Sequence, residues 1–490
     1  MKTICIGFEL HQPYRLRKST PPSGTTFTDI YEQYFSPENK EILQKVSSKC
    51  YKPATSLLID LMDDGFHAAF SVSGTLLEQL ERWDPDMLDL LTTFARHKNS
   101  EMLCQTYYHS IAALFDDHTE LADQFMMHKD RIRELSGAEP VICENTEFIF
   151  NNAVADTMHR LGFKGCFTEG ASRLLEWRSP NFLYQCRDIP LIVRNFGLSD
   201  DIAFRFCMHN WKEYPLTADK YASWVAEAYG DFVSVFIDYE TIGEHFWADS
   251  GVFQFFEHLP GELEKRGVET VTPSDLLAYP VRERFDVHYT VSWADAEKDE
   301  TAWIQNRKQR NAFRACERAA QFPLEPRLYG LLQTSDHFYY MSTKHGSCGE
   351  VHNYFSHLGE HEAFITYMNT LADVEVQAIE DACTDATSPT EREHLKARYR
   401  LRTLAPHEAF HFAGESGYSG HVAYDLDQFS ELIAIIPSDS LTHHIKNQDF
   451  TRWIRDIVHD ALLADQIQHL TCREETMECV ERRCKELWEA

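Results

Sequence analysis

The sequence predicts an α/β protein built on a barrel of seven or eight parallel strands, with a helical region and a smaller C-terminal segment behind it. Three observations carry this. Short apolar runs recur through the first half of the chain, at residues 3–8, 67–72, 101–106, 141–147, 165–168, 191–195 and 232–237. Stretches with helical spacing of apolar residues separate most of them, and alternation of strand and helix implies a parallel sheet with crossover helices. Seven strands in about 240 residues are too many for a comfortable open sheet, so closure into a barrel fits better.

Taken in order, the first run ends at His11-Gln12-Pro13-Tyr14. Pro13 stops the ladder, and His11 can then point into the barrel mouth as a hydrogen-bond donor to a hydroxyl. Residues 76–91 read as a helix, with Leu76, Leu77, Leu80, Met87 and Leu91 near helical spacing. The run 101–106 leads into Tyr107-Tyr108-His109, two aromatics and a second imidazole. Aromatic faces stack on the C–H face of a pyranose, although core packing is expected for at least one of the two tyrosines. The run from 141 closes on Glu144-Asn145-Thr146-Glu147, and a helix over 153–161 follows. The run 232–237 stops at Asp238, with Glu240, Glu244, Tyr239 and His245 close behind. Acids packed at the end of a buried strand are costly to keep charged unless something there uses them. The C-terminal ends of barrel strands are where catalytic side chains sit. Glu147 and Asp238, on separate strand ends, can face each other across a sugar. Retaining glycosidases need two such carboxyls about 5–5.5 Å apart.

From about residue 291 the texture turns charged and helix-favouring, over 294–321, 364–382 and 391–404, and a third segment starts near 405. The expected division is a catalytic barrel over 1–285, a helical subdomain over 286–400 and a small C-terminal domain over 401–490. A net charge of −30 argues against nucleic acid and anionic membranes as partners. Thirteen cysteines at irregular spacing, without a C-x-x-C pair, read as reduced thiols in a cytoplasmic protein. No apolar stretch approaches membrane-spanning length, and the N-terminal run is too short for a signal segment.

Two motifs are set aside. His407-Glu408-Ala409-Phe410-His411 matches H-E-x-x-H, which binds zinc only from a helix. Pro406 and Gly414 crowd it, and its alternation fits a strand equally well, so no metal is expected. The glycine-rich stretch 414–420 lacks the residues of a phosphate loop and reads as a turn.

Six segments together resemble α-amylases of glycoside hydrolase family 57. They are Leu10-His11-Gln12-Pro13-Tyr14-Arg15-Leu16, Thr106-Tyr107-Tyr108-His109-Ser110, Asn145-Thr146-Glu147-Phe148-Ile149-Phe150-Asn151-Asn152, Asp238-Tyr239-Glu240-Thr241-Ile242-Gly243-Glu244-His245, Ser292-Trp293-Ala294-Asp295, and Gln333 to Met341. The resemblance covers nearly all of the chain. It implies an incomplete TIM-like (β/α)7 barrel, completed by the helical region, and hydrolysis of α-1,4-glucosidic bonds with retention. It assigns Glu147 as nucleophile and Asp238 as general acid/base. The residues expected to touch substrate are His11, Gln12, Tyr107, His109, Glu240, His245, Trp293, Asp295 and Asp336; no cofactor is implied. The sequence departs from the pattern the resemblance implies at Gln105, where glutamate is common, at Glu144, where a basic residue is expected, and over 344–350, a stretch expected to line the substrate entrance. Alternatives are a 4-α-glucanotransferase or branching enzyme, a metal-dependent sugar deacetylase or mannosidase using His11, Asp238 and His109, and a non-catalytic glucan-binding relative.

Overall fold

The structure, a computed structural model, describes residues 2–18, 30–344, 358–415 and 417–490. Strand β1 (Lys2–Leu10) lies between β8 (Phe232–Asp238) on one side and β2 (Ala68–Val72) with the short β9 (Val268–Thr270) on the other, all parallel. Strand β3 (Ser100–Met102) extends this sheet beyond β2. A second sheet runs β10 (Arg284–Phe285), β6 (Leu183–Cys186), β7 (Ile189–Arg194), β5 (Gly165–Glu169), β4 (Ile142–Cys143). Two seams join the sheets. Cys104 bridges Cys143 in parallel, and the Asn195 amide donates to the Ser234 carbonyl at 2.8 Å. The ring therefore reads β1, β2, β3, β4, β5, β7, β8: seven parallel strands in chain order, the incomplete barrel expected from the sequence.

Alternation along each strand sorts the side chains. On β1, Ile4, Ile6, Phe8 and Leu10 face the outer helices, while Cys5 lies inside. On β8, Val233, Val235 and Ile237 face out, and Phe232 and Phe236 fill the interior with Phe148 and Phe167. The rings of Phe148, Phe167 and Phe236 meet edge to face, 5.0–6.2 Å between centroids. Gly7 makes this possible: a Cβ there would lie 2.4 Å from the Phe236 ring. The same parity turns Glu9, Ser71, Glu169, Arg194 and Asp238 inward at the C-terminal rim. Register puts Glu9 level with both Ser71 and Asp238, and Glu169 level with Arg194.

Some local expectations change. The helix expected over 76–91 is two helices, Gly74–Trp83 and Pro85–Ala95. Pro85 cannot donate to the preceding turn, and Asp84 instead caps the second helix by accepting from the Met87 amide. The run 101–106 is regular only to Met102, after which the chain bends across to β4. Strands β6, β9 and β10 were not anticipated; each is short, and β6 is antiparallel. His411 lies on β11 (Phe410–Gly414), paired antiparallel with β12 (Gly417–Ala423), so the H-E-x-x-H segment is not helical.

Beyond β10, helices Arg307–Ala319, Pro326–Leu332, Ser335–Tyr339 and Glu360–Asp385 share one core with the barrel, through Tyr108, Phe125, Trp303, Leu331, Phe338 and Tyr367. The C-terminal segment has its own core around Phe410, Phe412, Phe429, Phe450 and Trp453. Among the described residues the cysteines are free thiols, and no helix is long and apolar enough to cross a membrane.

Candidate active site

The seven strands end at one rim, and the helical region is stitched onto it by backbone hydrogen bonds. Phe150 and Val291 exchange N–H···O bonds of 2.9 Å in each direction. The Trp293 amide donates to the Glu147 carbonyl at 3.0 Å, and the Ser335 amide to the His109 carbonyl at 2.9 Å. Trp293 and Asp336 thus arrive from outside the barrel sequence to stand over its mouth.

Glu147 follows β4 in a tight turn with left-handed backbone at both Glu147 (φ 59°) and Phe148 (φ 55°). Such conformations cost roughly 1–3 kcal/mol each and persist only where the surroundings hold them. Here the Phe148 amide donates to the Asn145 carbonyl at 2.7 Å, and the Asn145 side chain to the Ile149 carbonyl at 2.8 Å. The turn lifts the Glu147 carboxyl out of the strand direction. Trp293 Nε1 donates to its Oε2 at 2.6 Å, and Ser335 Oγ to its Oε1 at 2.9 Å. His109 Nε2 stands 3.7 Å from Oε1. Trp293 is itself fixed by stacking on Phe148, 4.9 Å between centroids at 19°.

Asp238 ends β8. Among the described residues its carboxyl makes no side-chain hydrogen bond, in contrast to Glu147. Burial and then the charge of Glu147 push its pKa up to about 7, against the pull of Arg194 and His109. Arg194 is buried and held by Glu169 at 3.0 Å and Asp200 at 2.9 Å, and it donates from Nε to the Phe236 carbonyl. Lys298 reaches the other oxygen of Glu169 at 3.1 Å.

His11 and His109 stack, 3.9 Å between centroids at 18°. His11 Nδ1 meets Ser73 Oγ at 2.7 Å and His11 Nε2 meets Asp336 Oδ2 at 3.1 Å. Burial, and then its neighbour His109, pull the pKa of His11 down to about 4. For His109 burial acts downward too, but the neighbouring Glu147 carboxylate outweighs it and the pKa is raised. Asp336 is held below the ordinary carboxylate range: burial alone would raise it, and the His11 bond overcomes that.

The other expected residues lie further out. Glu240 accepts from Tyr51, whose hydroxyl also receives Gln12 Nε2 at 3.4 Å; burial, then the charge of Asp238, raise Glu240 to about 8. Burial lowers His245 to about 4. Asp295 is paired with Lys344 at 3.1 Å and accepts from Tyr339 at 3.3 Å. Tyr107 packs on Gly74 and donates to Glu78 at 3.0 Å, in a network anchored by Arg327 rather than the one around Glu147. The divergent stretch at 344–350 lies outside the described residues after Lys344.

Sequence reasoning passed over Ser335, Arg194, Glu169 and Lys298. Ser335 stood beside Asp336 in a quoted segment. Arg194 and Glu169 carried the signal used for Asp238, a charge closing an apolar strand. Lys298, in a loop, had no such signal.

Two groups of described residues bring donor atoms within 4.8 Å of one another, a spacing able to hold a cation: His11, His109 and Asp336, and His443, His444 and Asp449. Both are already satisfied internally. His11 Nε2 is committed to Asp336, and His444 bonds Asp449 at 2.8 Å on one nitrogen and the Ala413 amide at 2.8 Å on the other. They are hydrogen-bonded acid–imidazole groups.

Known proteins agree with this architecture. Residues 5–292 match glycosyl hydrolase family 57. A protein of Methanocaldococcus jannaschii named "Putative alpha-amylase" is 39% identical over 394 residues, covering 76% of this chain and 84% of that protein. The solved branching enzyme of Pyrococcus horikoshii superposes with a TM-score of 0.60 at 13% identity, over 81% of this chain and 94% of that one. An exo-type maltose-forming amylase of Pyrococcus sp. ST04 gives 0.52 at 12% identity, over 81% and 82%. At those identities the two structures speak for the fold alone. The family match over more than half of the sequence, together with the 39% identical relative, establishes that the chain belongs to glycosyl hydrolase family 57.

Proposed function

We propose that the protein is a retaining glycosidase that cleaves α-1,4-glucosidic bonds of starch, glycogen or maltooligosaccharides, with Glu147 as nucleophile and Asp238 as general acid/base. The observation that carries this reading is the opposed state of the two carboxyls. Both oxygens of Glu147 accept hydrogen bonds from neutral donors, which orient the group and suit an anion. The Asp238 carboxyl has no competing partner and a pKa near 7, which suits a proton donor.

In this mechanism Glu147 attacks C1 of a glucosyl unit opposite the leaving group. As the C1–O bond breaks, its electron pair goes to the glycosidic oxygen, which takes the proton of Asp238. A glycosyl ester of Glu147 forms. Asp238, now a carboxylate, removes a proton from water; the oxygen bonds C1 and Glu147 is released. The loss of charge from Glu147 in the first step lowers the pKa of Asp238, readying it as the base. His11, His109 and Asp336 are read as partners of sugar hydroxyls, Trp293 as the residue that both aims Glu147 and borders the sugar. The division into barrel, helical subdomain and C-terminal domain at residues 285 and 400 belongs to the same reading.

The test is product analysis on maltoheptaose with anomer-resolved NMR. Release of α-anomeric products, with Glu147→Ala and Asp238→Ala each slower by about a thousandfold or more, supports the assignment. Azide should restore turnover to Glu147→Ala as a glycosyl azide of inverted configuration. Full activity in either variant sinks it. A ladder of longer and shorter glucans would instead mark a transferase, and activity abolished by EDTA would favour the metal-dependent alternative at His11, Asp238 and His109.

A further inference from the structure

Beneath His109 lies a buried polar layer that the mechanism above does not use. It is made by Glu9 of β1, Ser71 of β2, and Gln105 and Glu144 from the ends of β3 and β4; each is at most 3% exposed. Gln105 Nε2 donates to Glu9 Oε1 at 2.6 Å and to Ser71 Oγ at 2.9 Å. Both of its N–H groups are thereby spent. Ser71, having accepted from Gln105, donates to Glu144 Oε2 at 2.9 Å. The remaining oxygens, Glu9 Oε2 and Glu144 Oε1, find no other donor among the described residues, and the two carboxyls meet each other. Two anions cannot sit in contact in a dry layer at tolerable cost; one proton between them closes every bond in the set.

The chain continues upward. Gln105 Oε1 is 2.9 Å from His109 Nδ1. Because the amide nitrogen is committed below, that oxygen must accept, and His109 must carry its proton on Nδ1. Nε2 is then left facing Glu147 at 3.7 Å. Gln105 and Glu144 are thus joined by one path through Ser71.

We propose that Glu9 and Glu144 share a single proton and, through Ser71 and Gln105, act as positioning residues that fix the tautomer and orientation of His109 beneath Glu147. The pair supplies one buried negative charge under the imidazole. His109 also faces His11 at the end of β1, Glu147 after β4, Asp336 from the helical region and Asp238 at the end of β8. Glu9 Oε1 lies 3.5 Å from Nδ1. Removing the shared charge weakens the hold on the His109 proton, since every anion in this set favours the imidazolium.

This deepens the glycosidase reading, because it matters to catalysis only if Glu147 is the nucleophile. Its test needs no substrate, so the two can fail separately. Histidine labelled with 13C and 15N reports ring protonation in the resting protein, and His109 is assigned by its loss in His109→Asn. Glu9→Gln and Glu144→Gln each replace the shared proton by an amide donor and keep one carboxylate. Both should leave His109 titrating as in the unaltered protein, with the neutral ring protonated on Nδ1. The double variant loses the charge, and His109 should release its proton at lower pH. A folded double variant with unchanged titration, or a single variant that shifts as far as the double, overturns the proposal. Should the double variant not fold, Gln105→Met cuts the path but leaves the pair. Loss of the fixed Nδ1–H tautomer is then expected, and an unchanged tautomer rejects it.

Discussion

At the scale of single residues, the proposed mechanism rests on a contrast between two acids. Glu147 is gripped, and Asp238 is bare. The indole N–H of Trp293 is the shorter of the two side-chain bonds to Glu147. A hydrogen bond to a charged acceptor contributes about 1.5–3 kcal/mol. Trp293→Phe keeps a ring to stack on Phe148 but removes the donor, so kcat on maltoheptaose should fall roughly ten- to a hundredfold. Steady-state kinetics check it, with circular dichroism as the control for folding; a kcat equal to that of the unaltered protein contradicts the role given to the indole. The pH profile follows from Asp238. The proposed first step needs its proton, which is lost as pH rises through about 7, so kcat/KM should decline on the alkaline side from there. A profile flat to pH values well above that would reassign the acid.

At the scale of elements, the site depends on how closely one helix can approach the barrel. Helix Pro326–Leu332 packs on Tyr108 at Gly330, where a Cβ would lie 2.1 Å from the tyrosine ring. The next residues along the chain are Gln333, Thr334, Ser335 and Asp336, which bond Ile111, Tyr108, Glu147 and His11 respectively. Gly330→Ala therefore forces apart the contact that sets Ser335 and Asp336 over the mouth. Overpacking of this kind costs about 1–3 kcal/mol. Thermal unfolding should move down by a few degrees and kcat should fall with it. Unchanged Tm and kcat would mean that the helix yields freely.

At the scale of the whole molecule, buried groups of opposite kind set the pH dependence of stability. Burial raises Asp238 to about 7, Glu240 to about 8 and Glu375 to about 7. In the unfolded chain these acids ionise near pH 4, so from there upward the folded state holds more protons, and stability falls with rising pH until each folded pKa is passed. Buried His11, His128, His245 and His337, lowered to about 4, act in the reverse sense. The unfolded state holds their protons up to about pH 6.5, so they make stability rise over that lower range. The two sets oppose each other below about pH 6.5 and only the acids remain above it. Tm should fall by about 2–4 °C between pH 6.5 and 8.5, and Glu375→Gln should flatten that slope. Calorimetry at the two pH values measures it; a Tm that rises instead contradicts the sign.

The repeating unit is legible in the order of residues alone. All seven ring strands were legible because a buried parallel strand must be an apolar run, and acids or histidines at its end stand out against it. Glu147, Asp238, His11 and His109 were singled out in that way. Breaks without a hydrophobic signal, such as Asp84–Pro85, and the short strands outside the ring, such as β6 and β10, were missed. Which side chains meet became apparent only in the folded chain. Ring closure put Glu9, Ser71, Gln105 and Glu144 in one layer, and the docking of a distant helix delivered Ser335 to Glu147. Periodicity along a chain encodes which way a residue faces; what it faces depends on contacts between segments far apart in sequence, and those exist only once the chain has closed on itself.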